Sequence, residues 1–213
     1  MKGTTILPAL LLAMLPLAKA QATVIFINEL HYDDSGTDRG EGFEIAGPAG
    51  TDLAGWTLLL YDGSDGLVYD AVALGGLLDD QQNGFGTAFF AASGAQNGPD
   101  GLALVDAGGD VVQFLSYEGS FMAMNGPADG LVSTDIGVFE KGEDRVGISL
   151  QLTGAGTAYE DFTWRSELPA TYGGVNLGQS FSAAVPLPGA LPLLAGGLGL
   201  LAFRRLGSGH ALQ

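Results

Sequence analysis

Apolar residues along most of this chain come in short runs, not at helical spacing. Thr23 to Leu30 (TVIFINEL), Trp56 to Tyr61 (WTLLLY), Leu67 to Leu74 (LVYDAVAL) and Thr87 to Ala92 (TAFFAA) are β-branched or aromatic-rich. Gly101 to Asp106 (GLALVD), Asp110 to Ser116 (DVVQFLS), Val146 to Leu152 (VGISLQL) and Tyr159 to Trp164 (YEDFTW) continue the series. Each run has strand length and strand composition. Turn residues separate nearly all of them, as at Asp62-Gly63-Ser64-Asp65-Gly66, Asn97-Gly98-Pro99-Asp100-Gly101 and Ala107-Gly108-Gly109. Short strands between Gly, Asp and Asn turns, with no amphipathic helix, predict an all-β, antiparallel β-sandwich. Gly119 to Gly142 reads as a long loop holding one short strand or turn. From Leu168 onward a Gly, Pro and polar stretch reads as a trailing linker.

Alternation assigns faces within the strands. Phe43 and Ile45 point inward and Glu44 outward. Gly55 permits a tight turn before Trp56, whose ring is expected to fill the core. Asn28 is placed to bond its own backbone or a neighbouring loop where the first strand ends.

Two longer apolar stretches lie at the ends. Lys2 precedes an apolar run from Ile6 to Leu17, followed by the small-x-small site Ala18-Lys19-Ala20. That is the layout of a secretory signal peptide over residues 1–20, cut before Gln21 by the export machinery's signal peptidase. At the other end no charge occurs from Leu187 to Phe203. At about 1.5 Å per residue this gives roughly 26 Å of helix, near the lower limit for crossing a bilayer core. Pro186 and Pro188 mark its start. Arg204 and Arg205 would stay cytoplasmic, leaving the body outside and anchored to the inner membrane by its C-terminal transmembrane helix. The organisation is then signal peptide 1–20, domain 21–167, linker 168–184, anchoring segment 185–206 and a short tail 207–213.

Charge narrows the partners. The chain of 213 residues has a formal net charge of −16, and all 24 acidic residues lie between Glu29 and Glu167. Arg39, Lys141, Arg145 and Arg165 are the only basic residues in that span. So acidic a body repels phosphate backbones, which argues against nucleic acid. The lack of Cys excludes a disulfide framework and thiolate chemistry.

Candidate chemistry is thin. His31 is the only histidine of the body, and no G-x-S-x-G elbow accompanies it. It reads as a partly exposed strand-end residue, and no catalytic residue or cofactor is assigned. One imidazole and no thiolate disfavour zinc. Calcium is the metal worth weighing: Asp33, Asp34, Asp38 and Glu41 place four carboxylates on one loop, although their spacing differs from an EF-hand. A solvated acidic loop explains the same residues.

Two resemblances add to this. Val185-Pro186-Leu187-Pro188, the Gly/Leu/Ala helix and Arg204-Arg205 resemble the PEP-CTERM sorting tag in its V-P-L-P-A variant, with Gly189 where that variant has Ala. The resemblance implies processing by an exosortase-like membrane protease, with release or transfer of the body to the cell surface. In the body, Phe26-Ile27-Asn28-Glu29-Leu30-His31-Tyr32, Gly42-Phe43-Glu44-Ile45 and Asp52-Leu53-Ala54-Gly55-Trp56 resemble the bacterial lamin-tail domain. This implies an immunoglobulin-like sandwich. Gly42 replaces an expected apolar residue, which predicts a loosened second strand or a bulge there. The expected function is a non-enzymatic surface or extracellular-matrix module meeting matrix polysaccharide. The alternatives are an accessory domain for a separate secreted hydrolase or nuclease, and a calcium-binding surface domain.

Overall fold

A computed structural model describes residues 22–37, 39–142 and 145–182. The signal-peptide and sorting residues Ala18, Ala20, Val185, Pro186, Leu187, Pro188, Arg204 and Arg205 lie outside them, as does Asp38. Among the described residues no helix is long and apolar enough to cross a membrane.

The described chain is all-β. It runs β1 (Phe26–His31), β2 (Gly42–Pro48), β3 (Thr57–Asp62), β4 (Val68–Ala73), β5 (Phe85–Ala91), β6 (Asp100–Val105) and β7 (Val111–Tyr117). Then come β8 (Thr134–Asp135), β9 (Ile148–Gly156), a 3-10 turn at Tyr159–Asp161, β10 (Phe162–Pro169) and β11 (Gln179–Phe181). One sheet has the order β10-β9-β1-β2-β5, with β11 parallel to β9; the other has the order β4-β3-β6-β7-β8. All pairings are antiparallel except β11 with β9 and β8 with β7.

The inner faces make one apolar core. Leu30, Phe43, Ile45 and Leu150 from the first sheet pack with Leu58, Leu60, Leu102, Leu104 and Leu115 from the second. Tyr32, just past β1, stacks on Tyr117 of β7 with ring centroids 4.0 Å apart. Turn chemistry closes the hairpins as the composition predicts. Between β6 and β7, Asp106 Oδ1 accepts from the N–H groups of Gly108 (2.8 Å) and Asp110 (2.9 Å), and Gly109 takes φ +91°. A side-chain acceptor and a left-handed glycine are what such a tight turn requires.

Several expectations change at the level of packing. Trp56 is half-buried at the rim of the core, and the tryptophan that fills it is Trp164, whose Nε1 donates to Tyr159 Oη at 3.0 Å. The strand at Gly42 is neither loosened nor bulged: Gly42 keeps register with His31 on one side and Ala91 on the other. A Cβ there would strike the Phe90 carbonyl oxygen and sit 2.5 Å from the Phe89 ring, so the close approach demands glycine. The bulge lies in β1 instead, opposite Glu44 and Ile45, where the register shifts between Ile27 and Glu29.

The segment read as a linker from Leu168 is part of the sandwich. Leu168 and Pro169 finish β10, and residues 170–178 cross the outer face of the first sheet before β11 adds to its β9. Its polar composition mimics a linker because its job is to satisfy polar groups beneath it.

Candidate functional site

The side chains best suited to chemistry gather in two buried polar clusters on the first sheet. Leu30 and Tyr32 point into the inter-sheet core, so the alternate residues Glu29 and His31 must face away from it. Register places Glu44 opposite Glu29, on that same outward face. Both glutamates are nonetheless fully buried, because the 170–178 segment roofs them. Alternation directs Glu44 correctly away from the core, where the 170–178 segment and not water covers it.

The bulge gives β1 two consecutive polar side chains on that face. Asn28 Nδ2 donates to Glu44 Oε1 (2.8 Å) and to Gln179 Oε1 (3.2 Å), and its Oδ1 accepts from Gln179 Nε2 at 2.6 Å. Asn28 thus bonds side chains across the sheet and on β11, not the local loop. Glu44 Oε2 accepts from the Gly173 N–H at 2.7 Å. Glu29 Oε1 accepts from Ser149 Oγ (2.5 Å) and from the Thr171 N–H (2.9 Å). Asn176 Nδ2 closes the roof on the Asn28 and Leu152 carbonyls. Burial pushes the Glu44 carboxyl up to about 8, with the Glu29 charge adding to the effect and the Asn28 amide opposing it. Burial raises Glu29 as well. Two carboxyls held this close out of water favour their neutral forms.

The second cluster terminates β1. The chain turns after His31, leaving the N–H groups of Tyr32 and Asp33 without a strand partner. Glu140 Oε2 accepts from both, at 2.7 and 2.9 Å, and Glu140 Oε1 faces His31 Nδ1 at 2.9 Å. His31 Nε2 lies 3.1 Å from the Arg39 carbonyl and 3.5 Å from Asp34 Oδ2. His31 is fully buried, not partly exposed at a strand end. Burial by itself would lower its pKa, but the hydrogen bond and charge of Glu140, with Asp34 behind, outweigh it and lift the imidazole to about 9. Acceptors at both ring nitrogens favour the imidazolium. Burial pushes Glu140 up, while His31 and the two backbone donors pull it down. Tyr32 Oη donates to Glu118 Oε1 at 2.9 Å and accepts from the Glu140 N–H at 2.8 Å, locking the loop to the stacked tyrosines.

The calcium candidates have separate surroundings. Asp34 sits on His31 and accepts from the Arg39 N–H at 3.1 Å. Asp33 lies beneath Gly142. Glu41 Oε2 instead reaches across to accept from the N–H groups of Gly94 and Ala95. Among the described residues no group of three or more His, Asp or Glu side chains is arranged to hold a metal ion.

Sequence reasoning misses the Asn28–Glu29–Glu44 cluster. The available signal is polar residues in mid-strand, inside FINEL and FEIA, but the partners that bury them lie more than a hundred residues away in Thr171, Gly173, Asn176 and Gln179. No family model, characterised protein or solved structure matched the chain.

Proposed function

We propose that this chain is an exported, non-enzymatic surface module, an immunoglobulin-like sandwich of the lamin-tail kind held at or sorted from the membrane by its C-terminal tag. The observation that carries the reading is the use made of the polar groups. His31 and Glu140 cap the end of β1, and Glu29 and Glu44 fasten the 170–178 segment to the sheet. Groups so enclosed supply rigidity and do not meet a substrate.

The acidic exterior favours cationic partners and solubility over nucleic acid. From Gly40 to Glu140 the chain has no Lys, Arg or His, and that span supplies the whole of the second sheet. Mass spectrometry of both mature termini tests the proposal. The expected result is a start at Gln21 and either loss of the segment from Val185 or its retention in the membrane fraction. Intact full-length protein free in the cytosol would overturn it. Retention on matrix polysaccharide tests the adhesive role.

A further inference from the structure

The loop after β7 presents an apolar face that the fold itself does not use. Met122 and Val132 face each other across an isolated antiparallel bridge, and the Ala123 N–H donates to the Leu131 carbonyl at 2.9 Å. Met124 donates its N–H to the Gly66 carbonyl at 2.8 Å, which sets it beside Leu67. Met122, Met124, Leu131, Val132 and Leu67 are 50, 59, 45, 60 and 41% exposed. Leu131 pairs with Ala123 on the other side of the hairpin, and the remaining four side chains offer on the order of 300 Å² of apolar surface, the size of the largest exposed patch on a typical soluble monomer, which is often functional.

The same loop is rigid from beneath. Ala123 and Ala128 are fully buried, and Tyr61 Oη donates to the Asn125 carbonyl (3.1 Å) and accepts from the Ala128 N–H (3.3 Å). The loop is thus packed through Phe121, which meets Phe114 edge-on, and through the small residues Ala123 and Ala128, while Met122, Met124 and Val132 are turned to water on a preorganised frame. Preorganisation lowers the entropy lost on binding, and methionine adapts to varied apolar partners.

Charge selects among partners. Asp62 and Asp65 lie in the turn that leads into Leu67, with the Asp62 N–H donating to the Leu67 carbonyl at 3.0 Å and Asp65 Oδ1 accepting from the Leu67 N–H at 2.9 Å, and Asp129 follows Ala128 in the loop. No cation in this stretch of sequence offsets them. We infer that the Leu67–Met122–Met124–Val132 face docks a basic amphipathic segment of a partner protein, apolar side chains seated on the methionines and Lys or Arg side chains meeting Asp62, Asp65 and Asp129. This rests on the reading of the chain as a binding module and names the chemistry of its partner.

The chain has four methionines, Met1, Met14, Met122 and Met124, so methyl-labelled methionine NMR on the full-length protein resolves the patch directly. A Leu/Lys amphipathic peptide should shift the Met122 and Met124 signals, and its Leu/Glu counterpart should not. M122Q with M124Q should weaken binding about tenfold or more, as expected for central apolar anchors. D65N with D129N should weaken it several-fold at low salt and less at high salt. These side chains are exposed, so the variants should keep the unfolding midpoint of the parent. No shift at millimolar peptide, equal response to both peptides, or a response to zwitterionic phospholipid vesicles in place of peptide would overturn the inference. Terminal processing is measured separately, so failure here and failure of the export reading are distinguishable.

Discussion

Replacing Glu140 by Ala removes the group that terminates β1. Three interactions go at once: two buried backbone N–H donors at 2.7 and 2.9 Å and the His31 ion pair at 2.9 Å. A buried donor left without an acceptor costs about 1–3 kcal/mol, and breaking a buried ion pair from one side costs roughly 3–5 kcal/mol. The terms overlap, because His31 can shed its proton once Glu140 is gone. A loss of about 4 kcal/mol near pH 6 is therefore expected. Glu140→Gln retains a carbonyl oxygen for the two N–H groups and presents an amide to a neutral His31, so about 1–2 kcal/mol is expected. The pH dependence separates charge from packing. His31 is raised in the folded state from 6.5 to about 9. Its contribution is fully present below about pH 6.5 and is lost as pH rises through about 9, with an upper bound of roughly 3 kcal/mol. Urea unfolding followed by tryptophan fluorescence at pH 6 and pH 9.5 measures this. The gap between parent and Glu140→Gln should narrow at the higher pH. A pH-independent gap, or a Glu140→Ala variant within about 0.5 kcal/mol of the parent, would refute the reasoning.

Other predictions follow from the packing. Glu44 sits at about 8 against a usual 4.5, so the folded form holds an extra proton between those values and stability should fall as pH rises through them; thermal melts from pH 5 to 8.5 should show the decline, with a shallower slope in Glu44→Gln. Phe181 is fully buried, stacks on Phe85 and meets Phe162 edge-on, so Phe181→Ala should cost about 3–5 kcal/mol in chemical denaturation. That value would mark 170–182 as part of the domain, whereas an effect below about 0.5 kcal/mol would return it to the status of a linker. Gly42→Ala should cost about 1–3 kcal/mol, because neither the Phe90 carbonyl nor the packed Phe89 ring can withdraw freely.

The strands and turns of this protein are written locally. Runs such as WTLLLY and GLALVD, and the Asp106–Asp110 turn, need only their own β propensity and a glycine at positive φ, so reading them requires no knowledge of distant residues. Alternation also assigns Phe43 and Ile45 to the core. Burial on the outward face is another matter. Glu44, Glu29 and His31 point away from the inter-sheet core as their positions require, yet whether they meet water depends on Thr171, Gly173 and Gln179 for the first two and on Glu140 for the third. The bulge at Asn28 and the need for glycine at 42 likewise arise from neighbouring strands. Side-chain direction is a property of adjacent peptide units and survives in the sequence. Solvent access is a property of whatever the rest of the chain lays over that side chain, and only the tertiary structure decides it.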